Sequence, residues 1–185
     1  MLKNREKLVF AELLVNGRKP DKHIAHDRKI SQPTVTRIRQ KLENEGYIEE
    51  YYAKPSFQKM DLNIFVVTTF TWNDYSKKEV VAQAIKDIVS NPKVMFLARG
   101  NGFSGKTGII FSLHKDLSSY EDFLVALKAK WGRYMDEVDQ FISSSSNIFK
   151  SFKYHHAVLE LMELDPKKNN LLPRFARRIR AAKSK

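Results

Sequence analysis

The chain has 185 residues, 42% of them hydrophobic and 11% aromatic, with 12 Phe and 7 Tyr; that length suits two small domains and supplies enough large side chains for packed cores, which excludes global disorder. Lys and Arg outnumber Asp and Glu by 33 to 21, a formal charge of +12 that favours a polyanionic partner, either nucleic acid or an anionic membrane, between which charge alone does not choose. There is no cysteine, which removes disulfide frameworks, thiolate catalysis and Cys-bearing zinc sites, and no apolar run approaches the ~18–20 residues of a membrane span. A cytoplasmic, nucleoid-associated location is expected.

The charge is unevenly placed. Residues 1–60 carry an excess of five positive charges, residues 61–165 are almost neutral, and residues 166–185 hold eight basic side chains and no acid. The basic ends are expected to meet an anion, and the neutral middle to pack or self-associate.

From Leu2 to Val15, Leu8, Val9, Ala11, Leu13 and Leu14 recur at helical spacing until Asn16-Gly17 stops the helix. A second helix is predicted from Pro20 through His26, turning over Arg28 and Lys29. Ser31 then stands as an N-cap, Pro33 falls in the first turn, and Val35, Ile38 and Leu42 share one face up to Gly46. Three helices with a tight turn between the last two predict a helix-turn-helix. With the apolar face inward, Gln32, Thr34, Thr36, Arg37, Arg39, Gln40 and Lys41 are left to point outward. Gln pairs with adenine, Arg with guanine, and Ser or Thr with either, so Ser31, Gln32, Thr34, Thr36, Arg37, Arg39 and Lys41 are candidate DNA contacts on a recognition helix over residues 31–45. The β-formers Tyr47, Ile48, Tyr51 and Tyr52 then predict the strand pair of a wing, with Lys54 near a phosphate.

The string KISQPTVTRIRQKLENEGYIEEYYA resembles the winged helix-turn-helix of the Lrp/AsnC (feast/famine) transcriptional regulators, with Leu42-Glu43 and Gly46-Tyr47-Ile48 at the helix-to-wing junction.

Beyond it, Leu62–Trp72 reads as a strand, and Val80, Val81, Ala84, Ile85, Ile88 and Val89 form the apolar side of a helix ending at Asn91-Pro92. Val94–Ala98 and Thr107–Leu113 read as strands joined by a Gly-rich connection. Ser118 or Ser119 is expected to cap a helix bearing Phe123, Leu124, Leu127 and Trp131. Phe141-Ile142 and Ile148–Tyr154 are expected to supply the last strand. The order βαββαβ is that of a ferredoxin-like sandwich. The predicted class is α+β: a winged helix-turn-helix at 1–60, a ferredoxin-like effector and oligomerisation domain at 61–160, and a basic tail at 161–185.

This order of parts also resembles the Lrp/AsnC regulators, over residues 5–160. The resemblance implies homodimers or larger homo-oligomers formed through the sheet domain, and small effectors bound at subunit interfaces. Arg99, Gly100, Asn101 and Gly102 are the candidate effector residues. The family's short Gly-x-Tyr/Phe-Asp turn is replaced here by RGNGFSGKTG, which has no acid, so the usual amino-acid binding is not implied.

Gly100–Thr107 also satisfies the pattern G-x-x-x-x-G-K-[ST], whose Lys106 and Thr107 would address phosphates and Mg²⁺. That mechanism needs a helix directly after the loop, whereas GIIFSL reads as a strand, so a hairpin with an exposed Lys106 is expected and no catalysis. His23 and His26 are expected to face solvent, no set of metal ligands is implied, and no cofactor is expected. In the tail, Arg174, Arg177, Arg178 and Arg180 surround Phe175 and Ile179, a pattern that suits an accessory phosphate contact, a solvated tail or, less well, a membrane surface. The expected function is sequence-specific regulation of transcription on double-stranded DNA. Its rivals are a non-specific architectural DNA-binding protein and a P-loop nucleotide enzyme.

Overall fold

The computed structural model describes residues 2–102, 104–150, 154–165, 169 and 171. These form two compact units: one from residues up to 54 together with those after 152, the other from residues 55–151.

The first unit holds α1 (Asn4–Val15), α2 (Asp21–Arg28) and α3 (Gln32–Asn44), as the caps and spacings predict. The Lys3 backbone N–H donates to Glu6 Oε2 at 2.8 Å and so starts α1. Lys29, left-handed at φ 52°, closes α2 by donating to Ala25 and His26 carbonyls. Ser31 Oγ accepts from the Thr34 N–H at 3.4 Å to cap α3. Val9, Phe10, Leu13, Ile24, Val35, Ile38 and Leu42 meet in one core.

Two sequence expectations fail in or beside this unit. Residues 47–55 hold no helix or strand, so the wing's ladder is absent. Tyr51 reaches instead across Gly17, where a Cβ would stand 2.7 Å from its ring, and its hydroxyl donates to Glu43 Oε1 at 2.9 Å. Secondly, Ile148–Tyr154 does not continue a strand: among the described residues of that stretch none is strand, and α6 (Tyr154–Leu161) begins at its end. The helix exists because Leu159, with Met162 and Leu171 beyond it, inserts into the same core as α1, α2 and α3.

The second unit holds β1 (Ile64–Trp72), α4 (Lys78–Val89), β2 (Val94–Gly102), β3 (Lys106–His114), α5 (Leu117–Trp131) and β4 (Met135–Ser144), the ferredoxin-like order. The antiparallel sheet runs β2-β3-β1-β4, with Val67 opposite both Phe111 and Phe141. Val66, Phe70 and Trp72 of β1 alternate onto the face that packs with Ala84 and Ile88 of α4 and Phe123, Leu127 and Trp131 of α5. The Phe70 ring lies so close over Gly108 that a Cβ there would stand 2.2 Å from it. α5 is capped by Asp116, whose Oδ1 accepts from the Ser119 N–H at 2.8 Å, and not by the serines. On the opposite sheet face Phe111 meets Phe65 and Phe96, ring centroids 5.9 and 5.0 Å away, and Phe141 is 66% exposed.

Candidate nucleic-acid interface

α3 carries its polar residues in two chemically different sets. The first is tied down. Asp21, opening α2, accepts from Thr36 Oγ1 at 2.8 Å and from Arg39 Nε at 2.8 Å, while Arg39 Nη2 donates to the Lys19 carbonyl at 2.8 Å. The Arg39 guanidinium also lies 5.9 Å from the Tyr51 ring centre. Lys41 Nζ donates to Glu6 Oε1 at 2.9 Å; that hydrogen bond raises the Lys41 pKa and lowers that of Glu6. Thr36, Arg39 and Lys41 are thus engaged by carboxylates on α1 and α2, where the outward reading left them free, although the Lys41 side chain stays 40% exposed.

The second set is free. Gln32, Arg37 and Gln40 are exposed, and Arg37 has no ion pair with any described residue. Ser31 and Thr34 share a hydroxyl contact of 2.7 Å at the N-terminus of α3, leaving Thr34 half-buried. Two cations not singled out from the sequence join this group: Lys22 on α2 and Lys29 in the turn are exposed and likewise lack ion pairs among the described residues. Their position in the helix-turn-helix was the available signal. Lys54 is exposed near the end of the stretch 47–55. Arg174, Arg177, Arg178 and Arg180 lie outside the described residues.

In the second unit, Arg99, Gly100, Asn101 and Gly102 form the exposed end of β2, with the Arg99 guanidinium stacked 4.1 Å from the Tyr75 ring centre. The turn is a hairpin: Gly105, at φ 99°, donates its N–H to the Gly102 carbonyl at 3.1 Å, and β3 follows directly. A strand and not a helix follows the loop, so phosphate-loop geometry is not formed. Lys106 is not exposed as expected; its side chain is 9% accessible and its Nζ meets the Glu137 carbonyl at 2.5 Å and Asp139 Oδ2 at 3.0 Å. Burial pulls the ammonium pKa down, but the bonds to Asp139 and Glu137 outweigh it and leave it raised. His23 and His26 face solvent, and no cluster among the described residues could hold a metal.

The same arrangement of elements occurs in solved regulators. An AsnC family regulator from Agrobacterium tumefaciens superposes with a TM-score of 0.71 at 17% identity, over 83% of this chain and 94% of its own. A Neisseria meningitidis transcriptional regulator in complex with L-Met gives 0.71 at 15% identity, over 85% and 99%. LrpC of Bacillus subtilis gives 0.62 at 20% identity, over 82% and 97%. The chain has the fold of AsnC/Lrp regulators. No family model matches the sequence, and no curated protein matches it. No helix among the described residues is long and apolar enough to cross a membrane.

Proposed function

We propose that the chain is a sequence-specific DNA-binding transcriptional regulator of the Lrp/AsnC type that lays α3 in the major groove. The observation that carries this reading is the division of labour on α3: Asp21 holds Thr36 and Arg39 and so fixes the helix, while Gln32, Thr34, Arg37 and Gln40 stay available to base edges. Ser31, Lys22, Lys29 and Lys54 supply phosphate contacts, which position the helix without reading sequence. The tail arginines Arg174, Arg177, Arg178 and Arg180 add further phosphate contacts. Thr36, Arg39 and Lys41 act as positioning residues.

The sheet face bearing Phe65, Phe96, Phe111 and Phe141 supports homodimerisation, because a row of partly exposed aromatic rings is stabilised by burial against a second copy. A small effector would meet Arg99 to Gly102 at the hairpin. No cofactor and no catalytic step enter this reading, and its setting is the cytoplasm.

Binding isotherms on a duplex recovered by selection and on an unrelated duplex test it. Arg37→Ala is expected to weaken the selected duplex by about 1–3 kcal/mol and the unrelated one little. Equal loss on both would replace the regulator by a non-specific architectural protein.

A further inference from the structure

On the helix side of the sheet, the C-terminal end of α4 and the second half of α5 leave a groove of about 420 Å³ between them. That volume falls within the roughly 300–1,000 Å³ of small-molecule sites. Its apolar wall is Ile88, Phe123, Leu127 and Trp131, side chains of the second unit's core. One ion pair interrupts this lining. Asp87, in the last turn of α4, accepts from Gln83 Nε2 at 2.8 Å through Oδ1, and Lys130 Nζ lies 2.5 Å from Oδ2. The Lys130 ammonium also stands 5.6 Å from the centre of the Trp131 ring. The bond from Lys130, joined by that from Gln83, holds the Asp87 pKa below the ordinary 3.8 against the opposing effect of burial, so the carboxylate is charged at neutral pH.

A carboxylate and an aromatic face both attract an organic ammonium, and the C-terminal end of a helix adds a negative field of the right sign. The position of a ligand's ammonium is therefore already marked by a side chain of the protein itself. The two halves of the pair are not equally held: Asp87 is 23% exposed and tied to Gln83, whereas Lys130 is 61% exposed on a flexible stem. Exposed ion pairs are weak, so Lys130 leaves for water at little cost once another ammonium takes its place. A ligand that carries its ammonium on an apolar body gains, in addition, the burial of that body in the groove. We propose that the groove between α4 and α5 binds a small primary amine with an apolar, ring-bearing body, whose ammonium displaces Lys130 from Asp87 and whose body lies along Phe123, Leu127 and Trp131. The site stands whether or not α3 reads DNA, and none of the hairpin residues Arg99 to Gly102 lines it. A carboxylate of the same shape is rejected, because Asp87 and the helix end repel it. Lys130 competes with the ligand and does not hold it, which gives its removal an unusual sign.

The test titrates the full chain with phenethylamine at neutral pH and follows backbone amide shifts by NMR. Saturable shifts confined to the last turn of α4 and to the second half of α5 are expected, with a dissociation constant of about 1 mM or lower. 3-Phenylpropionate has the same body and the opposite charge, and ethylamine has the charge and little body; neither is expected to saturate over the same range. Asp87→Asn is expected to weaken phenethylamine binding about tenfold or more, because the charged partner of the ammonium is lost. Lys130→Ala is expected to tighten it severalfold, an effect that a merely structural ion pair does not produce. Ala126 lines the groove on the exposed side of α5, so Ala126→Phe is expected to fill the groove and abolish binding, which decides the matter if Asp87→Asn does not fold. No saturation with phenethylamine, equal binding of 3-phenylpropionate or ethylamine, or unchanged or weaker binding by Lys130→Ala would overturn the site.

Discussion

In the helical unit Glu12 is 4% exposed, yet Lys19 Nζ lies 2.6 Å from its Oε2 and Arg28 Nη2 2.5 Å from its Oε1. In the αβ unit the buried polar side chains packed near Phe123 are neutral, Thr68, Ser112, His114 and Tyr120, and the charged exception among the described residues is Lys106, paired with Glu137 and Asp139. There burial raises the Tyr120 pKa, and its hydrogen bond with the Thr68 side chain partly offsets that rise. The first unit is small and borders its core with ion pairs that link helices; the second has a broad sheet and aromatic packing and carries hydroxyl and imidazole groups inside it. Substitutions should therefore act through different physics in the two units.

The largest effect is expected from Leu159→Ala. A fully buried leucine cut to alanine costs about 2–5 kcal/mol, and the loss should appear in the unfolding of the helical unit, followed by hydrogen exchange of α1 and α3 amides. Loss confined to the αβ amides would place α6 in the other unit.

This element shows what the sequence hides. The bounds of α3 are legible because its determinants are local: Ser31 caps it, Pro33 suits the first turn, and Gly46, at φ 71°, follows its end. A short apolar string such as Ile148–Tyr154 does not reveal its state, because its neighbours decide it, and those of α6 lie at Val9 and Leu13, far back in the chain. Tyr47, Ile48, Tyr51 and Tyr52 have the β-propensity of a wing, but propensity yields to packing, and Tyr51 is taken by Gly17, Arg39 and Glu43. At the candidate interface the residue types were legible and their division was not. Asp21 precedes Arg39 by eighteen positions, so only the fold shows that this arginine is occupied and Arg37 is free.

Glu12→Gln sharpens the contrast next. It keeps the shape of the side chain and removes the charge shared by Lys19 and Arg28, which should cost the helical unit about 2 kcal/mol, since hydrogen bonds to charged groups exceed neutral ones. Asp27 still accepts from Lys19 at 2.6 Å, which keeps the loss below that of a wholly orphaned pair. Urea midpoints at neutral pH check it; an unchanged midpoint would show that these pairs add nothing.

Lys106→Ala tests the buried paired cation of the αβ unit. The lysine is buried, but Glu137 and Asp139 are 63% and 74% exposed, and solvent screens such pairs. The expected loss of stability is small. DNA affinity should not change, and no ATP turnover should depend on this residue. A lysine-dependent ATPase would restore the phosphate-loop reading that the hairpin geometry opposes.

The mildest perturbation is pH alone. His114 Nε2 lies 2.9 Å from Ser112 Oγ, and burial, helped by the positive charge of Lys93, pushes its pKa below the ordinary 6.5. Between the lowered folded value and 6.5 the unfolded chain takes up a proton that the folded unit refuses. The contribution of neutral His114 is thus fully present above pH 6.5 and is lost as the pH falls through that window. Acidification works on the helical unit through Glu6, whose pKa the bonds from Lys41 and Lys3 hold below 4.5, so its loss begins only at lower pH. Unfolding of the αβ unit, followed through Trp72 and Trp131, should weaken on going from pH 7 to 5.5 while α1 and α3 amides keep their protection. His114→Phe should flatten that early loss. A variant with the same slope over this range would show that the proton is taken up elsewhere, and the contrast between charged and neutral buried groups would no longer explain the acid response.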